Sequence, residues 1–147
     1  MHSERLLDIG GVGYIVFKTT FNNISAISWW SVLWAEATGV PAEDVRVNRG
    51  QGYNPSTGVF TAPRKGLYHI SCLLLGYSTN VINYQLCKND AVYTYGYSTK
   101  GVHTSSTISS LVEMKKGDRV FIKHDTSTSE QIYGDHYSTF SGCFLQE

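Results

Sequence analysis

The sequence predicts an all-β sandwich or barrel, and three observations carry that prediction. Strand-like runs recur at short spacing, each bounded by turn residues. Ten Tyr, three Trp and abundant Ser and Thr stand beside only 16% charged residues, against ~25% in an average soluble protein. Ringed and β-branched side chains suit a pleated, half-buried surface. No segment sustains helical periodicity: Ile24, Ile27 and Trp34 make a partial match that Ser, Trp and Val crowd, so no helix is predicted.

The expected strands begin with Tyr14–Thr20 and Val45–Asn48, and the most heavily punctuated stretch, GQGYNPSTGVFTAPRKGLYHIS, follows. Within it, Asn54-Pro55-Ser56-Thr57-Gly58 is turn chemistry, since Pro55 presets φ and Gly58 supplies freedom at the end. Val59–Ala62 is a short strand that Pro63 closes, because proline has no N–H for a ladder. Arg64-Lys65-Gly66 turns the chain into Gly66–Tyr77, where Tyr68, Ile70 and Cys72 alternate on one face, the expected core face. Val81–Lys88 and Ala91–Tyr97 flank Lys88-Asn89-Asp90, and Thr107–Met114 and Asp118–His124 flank Lys116-Gly117-Asp118; both triplets are expected hairpin turns. Tyr137–Leu145 is the last strand. Phe60, Tyr68, Val120 and Phe140 are expected in the core.

At 147 residues the chain is one domain with enough length to bury a core without staples. Lys+Arg and Asp+Glu are both 12, so the basic face that dominates nucleic-acid binding is not indicated. The cluster of Lys115, Lys116, Arg119 and Lys123 is expected to be a solvated strand-and-turn surface. No run approaches the ~18 apolar residues of a membrane-spanning helix. At the N-terminus, MHSERLLDIGGVGYIVF is interrupted by Asp8 and does not form a convincing signal peptide. Asn23-Ile24-Ser25 is a glycosylation acceptor pattern. Cys72, Cys87 and Cys143 follow no metal-ligand spacing; they are expected as buried thiols, the alternative being one disulfide and one free thiol.

Enzyme chemistry finds little support. Gly10-Gly11-Val12-Gly13 is too short for a dinucleotide loop, and nucleophile elbow, His-Glu-x-x-His and phosphate loop are all missing. Four groups of residues are candidates for binding. Asp125, Glu130, Asp135, His136 and His124 lie in or beside KHDTSTSEQIYGDHYS; a solvated loop is the plain reading, Ca²⁺ through Asp125 or Asp135 the next, and zinc through His124 and His136 the least specified. Trp29, Trp30 and Trp34 suit core or interface, with Trp30 also a candidate sugar-stacking residue. Tyr93, Tyr95 and Tyr97 alternate along one strand face and share an environment, core or interface. The polar segment Ser98–Ser106, with Lys100 and His103, is expected to be a ligand loop next to Tyr97.

The order of these residues adds a resemblance. Gly-Tyr-Asn-Pro-Ser-Thr-Gly-Val-Phe-Thr-Ala-Pro followed by Gly-Leu-Tyr (Gly52 to Pro63, then Gly66 to Tyr68) resembles the central signature of the complement C1q globular-head family. Three further pieces fall in the same order: Leu86-Cys87-Lys88-Asn89, then Leu111 to Val120 (LVEMKKGDRV), then Tyr137-Ser138-Thr139-Phe140-Ser141-Gly142. The match runs from about Tyr14 to the C-terminus, giving a domain over 14–147 and an N-terminal extension over 1–13.

That resemblance implies a ten-stranded jelly-roll shared with the tumour necrosis factor superfamily, assembled as a homotrimer. It also implies a secreted, non-enzymatic recognition module without nucleic-acid partner or membrane insertion. Similar heads serve innate immunity as lectin-like pattern-recognition proteins binding microbial glycans or sialic acid, and some bind Ca²⁺ through loop aspartates near the trimer apex. The alternative it implies is a trimeric secreted ligand for a protein receptor. The sequence departs from the family pattern in three ways: it contains no Gly-X-Y repeat, it carries the tryptophan-rich ISWWSVLW, and Cys143 stands where an apolar residue is usual.

Overall fold

The computed structural model describes residues 16–20, 44–78, 81–124, 132–133 and 137–147. These residues form eleven strands: β1 (Val16–Thr20), β2 (Asp44–Arg49), β3 (Tyr53–Asn54), β4 (Val59–Thr61), β5 (Gly66–Ser78), β6 (Ile82–Lys88), β7 (Ala91–Ser98), β8 (Gly101–Met114), β9 (Arg119–His124), β10 (Ile132–Tyr133) and β11 (Thr139–Gln146). They pair antiparallel in two sheets. In the first, β8 and β11 flank β5, and β1 and β2 continue beyond β11. The second runs β3-β4-β9-β6-β7.

The short β10 shares a lane with β11. Tyr133 pairs with Leu75 and Thr139 with Leu73, both on the same edge of β5. Between the two, the Ser138 hydroxyl accepts a hydrogen bond from the Leu75 N–H at 3.0 Å, so the lane stays satisfied where the backbone ladder is broken. Eleven strands thus fill ten lanes, five per sheet, and the expected jelly-roll sandwich is what the chain forms.

The core lies between the sheets. Tyr68, Ile70, Cys72 and Leu74 of β5 point inward and are buried, as alternation requires. Phe17 stacks on Phe60 with ring centroids 4.6 Å apart and meets Phe140 edge-on at 5.0 Å. Tyr68 contacts Phe60 edge-on at 5.7 Å. The four expected core residues, Phe60, Tyr68, Val120 and Phe140, are all buried in this cluster. Each such aromatic side chain contributes about 1.5–3 kcal/mol by leaving water. Gly142 sits where a Cβ would lie 2.6 Å from Phe17 Cε1 and 2.7 Å from Ile70 Cδ1, so a side chain there would collide with the core.

The quoted motifs hold this packing together. Asn54 Oδ1 accepts the Ser56 N–H at 2.9 Å, the Asn54 carbonyl accepts the Gly58 N–H at 2.9 Å, and Gly58 closes the turn at φ 72°. Tyr68 donates its hydroxyl to the Arg64 carbonyl at 2.7 Å. Asn89, at φ 53° in the two-residue turn between β6 and β7, donates to Asp118 Oδ1 at 3.2 Å and accepts the Arg119 N–H at 3.0 Å. Two motifs far apart in sequence therefore meet side chain to side chain. Asp118 Oδ2 also accepts the Lys115 N–H at 2.8 Å. That bond is the main cause of an Asp118 pKa below the ordinary carboxylate value, with Asn89, Lys88 and Lys115 adding to it and burial opposing it.

Several expectations are corrected. Lys116-Gly117-Asp118 is no hairpin turn, because β8 belongs to one sheet and β9 to the other; the turn carries the chain across the sandwich. Ser98–Ser106 is mostly strand, with only Thr99 and Lys100 between β7 and β8. Neither β3 nor β10 was expected; two residues are too few for a periodicity signal. Cys72 and Cys87 are buried thiols as expected, but Cys143 is half-exposed on the outer face of β11, and none of the three is in a disulfide.

Candidate functional site

The sequence-predicted ligand loop becomes the tip of the β7–β8 hairpin. His103 is the extra residue of a bulge: Gly76 pairs with Thr104 and Tyr77 with Val102, so the strand register skips His103, which sits at φ 65°. The Ser98 hydroxyl donates to Thr104 Oγ1 at 3.0 Å, and Thr104 Oγ1 donates to the Thr99 carbonyl at 3.0 Å, which fixes the tip. Lys100 and His103 are exposed there, and Tyr97 stands on β7 two residues before the turn. One hairpin thus unites three predicted residues. Trp30, Asp125 and Asp135 lie outside the described residues, as do Trp29, Trp34, Glu130, His136 and the side chain of His124. Among the described residues, no three His, Cys, Asp or Glu side chains gather into a metal-binding group.

Two solvent-facing surfaces flank this hairpin. On the outer face of the second sheet, Tyr93, Tyr95 and Tyr97 are 45%, 67% and 58% exposed. They do share a face, but it is solvent-facing, not core. Tyr93 is set apart, because its hydroxyl donates to the Leu111 carbonyl at 2.7 Å and bridges the edges of the two sheets. Beside the row, β6 places Asn83 opposite Tyr97 and Gln85 opposite Tyr95.

On the outer face of the first sheet, Leu111 is 56% and Leu73 36% exposed, amid Ser71, Thr107 and Ser109. His69 Nε2 lies 2.8 Å from Ser109 Oγ on this face, and Cys143 pairs with His69 across β11. Burial raises the Cys143 pKa, and a hydrogen bond with the His69 backbone pulls it back only in part, so the group is a thiol at neutral pH. Among the described residues no carboxylate orients the His69 ring toward Ser109, as an activated hydroxyl would require. Sequence reasoning missed this surface. Its signal was present: if Tyr68, Ile70 and Cys72 point inward, His69, Ser71 and Leu73 must face out.

Fold and surface define a class: a two-sheet jelly-roll that presents uncharged aromatic, hydroxyl and amide groups on rigid faces. The chain belongs to the C1q domain family, whose model matches residues 31–145. It is 31% identical over 107 residues to mouse collagen alpha-1(X) chain, covering 70% of this chain and 16% of that protein. It is 29% identical over 115 residues to mouse complement C1q tumor necrosis factor-related protein 3, covering 75% of this chain and 46% of the relative. The chain therefore spans less than half the length of either.

Solved structures share the fold. The globular domain of zebrafish complement 1qA superposes with a TM-score of 0.71 at 16% identity, covering 90% of this chain and 99% of that one. Murine APRIL at pH 5.0 gives 0.68 at 13% identity over 90% and 99% of the two chains. Eiger TNF from S. frugiperda gives 0.62 at 13% over 91% and 94%.

Proposed function

We propose that this chain is a secreted, non-enzymatic recognition head that assembles as a homotrimer and binds glycans weakly per subunit and strongly by multivalency. The observation that carries the glycan reading is the row of exposed tyrosines on β7. Aromatic rings held on a sheet offer flat apolar area at low entropic cost, and pyranose rings have an apolar face that fits them. Assembly is supported by Leu73 and Leu111, large apolar side chains exposed beside Ser71, Thr107 and Ser109 on one sheet face. A closed ring of three copies would cover that face once per subunit.

A screen of glycans and bacterial surfaces, run with and without EDTA, tests the proposal. Binding displaced by free sugar supports it, and loss of that binding in EDTA assigns a role to the Ca²⁺ expected through Asp125 or Asp135. Binding to cells or proteins that no sugar displaces moves the chain to the alternative, a ligand for a protein receptor.

A further inference from the structure

Three turns meet at the end of β8 opposite the hairpin tip: 62–65 between β4 and β5, 89–90 between β6 and β7, and 115–118 between β8 and β9. Backbone hydrogen bonds lock them together. The Ala62 N–H donates to the Asp118 carbonyl at 2.8 Å, the Gly117 N–H to the Ala62 carbonyl at 2.9 Å, and the Asn89 N–H to the Arg119 carbonyl at 2.8 Å. The Asp118 N–H donates to the Lys115 carbonyl at 3.0 Å, which closes the third turn on itself. Side chains rooted in these turns therefore start from fixed positions.

The cations of this end divide into two kinds. Arg64 is held by Glu147 at 2.7 Å and lies over the Phe144 ring at 4.8 Å. Lys88 stands 3.7 Å from Asp118, and Arg119 stands 3.8 Å from Asp90. Lys65, Lys115 and Lys116 are exposed and have no ion-pair partner among the described residues. The remaining carboxylate of this end, Glu113, stands on the outer face of the first sheet beside Leu67. The basic cluster expected from the sequence is thereby redrawn: Arg119 is paired, Lys123 lies further along β9, and Lys65 joins from another turn. Gly66 pairs with Met114, so Lys65 and Lys115 leave the first sheet side by side, about 5 Å apart at Cα, and Lys116 follows. Like charges set opposite each other are destabilising. The fold holds three ammonium groups together against their own repulsion.

The surroundings narrow the partner. None of the three turns carries an aromatic or large aliphatic residue, so stacking on a base and insertion into a bilayer have no side chain to use. Charge is what these turns present. A lysine ammonium is a compact point charge that needs no bidentate match, and a sulfate ester offers it a permanent negative charge. We infer that Lys65, Lys115 and Lys116 form a docking surface for a sulfated polysaccharide. Successive sulfates of the flexible polyanion settle on the three ammonium groups, and release of its condensed counterions drives the association. Tyr95 and Tyr97 lie toward the other end of β7 and take no part, so this surface stands or falls apart from the tyrosine row.

The test is binding of the intact chain to immobilised heparin over a salt series, with chemically desulfated heparin, double-stranded DNA and phosphatidylserine vesicles as the other probes. Heparin is expected to bind with an affinity that falls linearly on logarithmic axes as salt rises. Desulfated heparin, which keeps its carboxylates, should bind at least about tenfold more weakly. A lysine facing an anionic surface is worth about fivefold. Lys65→Gln, Lys115→Gln and Lys116→Gln should each weaken heparin binding by that factor, and the triple variant by at least about fiftyfold. Urea midpoints of these variants should hold or rise, since repulsion is relieved. Lys123→Gln removes the same charge from the sheet and should leave heparin binding unchanged. Absence of heparin binding, or binding that the triple variant retains, overturns the surface. An equal loss in Lys123→Gln makes the effect one of total charge and overturns it too. Equal binding of native and desulfated heparin removes the sulfate assignment. DNA or vesicles bound more tightly than heparin through the same lysines overturn the polysaccharide as the partner.

Discussion

Thr19 shows at residue scale how a buried polar atom tests the packing. Its hydroxyl is buried without a hydrogen-bond partner among the described residues, an arrangement that costs about 1–3 kcal/mol. Valine has nearly the same shape without the polar atom, so Thr19→Val is expected to raise stability by about 1 kcal/mol, read as a higher urea midpoint at unchanged slope. A lower midpoint would mean that the hydroxyl has a partner in solution. Asp118 gives the opposite case, a charge that the fold favours. Its folded pKa lies below the ordinary value of 3.8, so its stabilisation is complete above that value and fades as pH falls through it toward the folded pKa. The parent should therefore lose stability more steeply below about pH 4 than Asp118→Asn does. Parallel pH profiles would show that the carboxylate contributes nothing to the tie between the two turns.

At the scale of elements, legibility in the sequence followed the physics of each strand. Strands with one buried face carry a period-two signal, and the expected boundaries fall within two residues of the described ones, β8 excepted. β5 was legible because Tyr68, Ile70 and Cys72 alternate with polar residues. The first half of β8, Gly101 to Ser106, was not. Four of its six residues, Gly101, Thr104, Ser105 and Ser106, are small or hydroxylic, and what makes the segment strand is pairing with β5 across Leu74 to Ser78, a long-range contact that no local pattern encodes. The same blindness hid the crossing at Lys116–Gly117, since a hairpin turn and a sheet-to-sheet turn draw on the same residues. The candidate site was legible by composition alone: Tyr97, Lys100 and His103 fall on one hairpin, whereas Asn83 and Gln85 join Tyr97 and Tyr95 only through register. The placement of β11 has its own test. Phe140 is fully buried against Phe17 and Tyr53, so Phe140→Ala is expected to cost about 3–5 kcal/mol. A negligible change in the urea midpoint would mean that the last strand is misplaced.

For the whole molecule, the proposed function divides the work between the two outer faces: Leu73 and Leu111 would face a second copy, and the tyrosine face would meet ligand. Sedimentation equilibrium at micromolar concentration is expected to give three times the 16.4 kDa protomer mass. Leu111→Glu, which sets a carboxylate on an apolar contact without touching the core, should give the single-protomer mass with an unchanged circular-dichroism spectrum. A parent that sediments as a monomer would remove the assembly and, with it, the multivalency.

Multivalency is the central claim, because a shallow sheet-borne subsite offers few contacts. A free monosaccharide should bind with a Kd of roughly millimolar order. A trimer meeting a repetitive surface turns the second and third contacts into intramolecular events, worth about 10²–10⁴ in avidity. The most direct measurement compares one sugar in two formats, free in solution by calorimetry and displayed densely on beads. The account predicts an apparent affinity at least about a hundredfold tighter on the beads, reversed by excess free sugar and lost in Leu111→Glu. Equal affinity in the two formats, or bead binding that free sugar does not reverse, would contradict it.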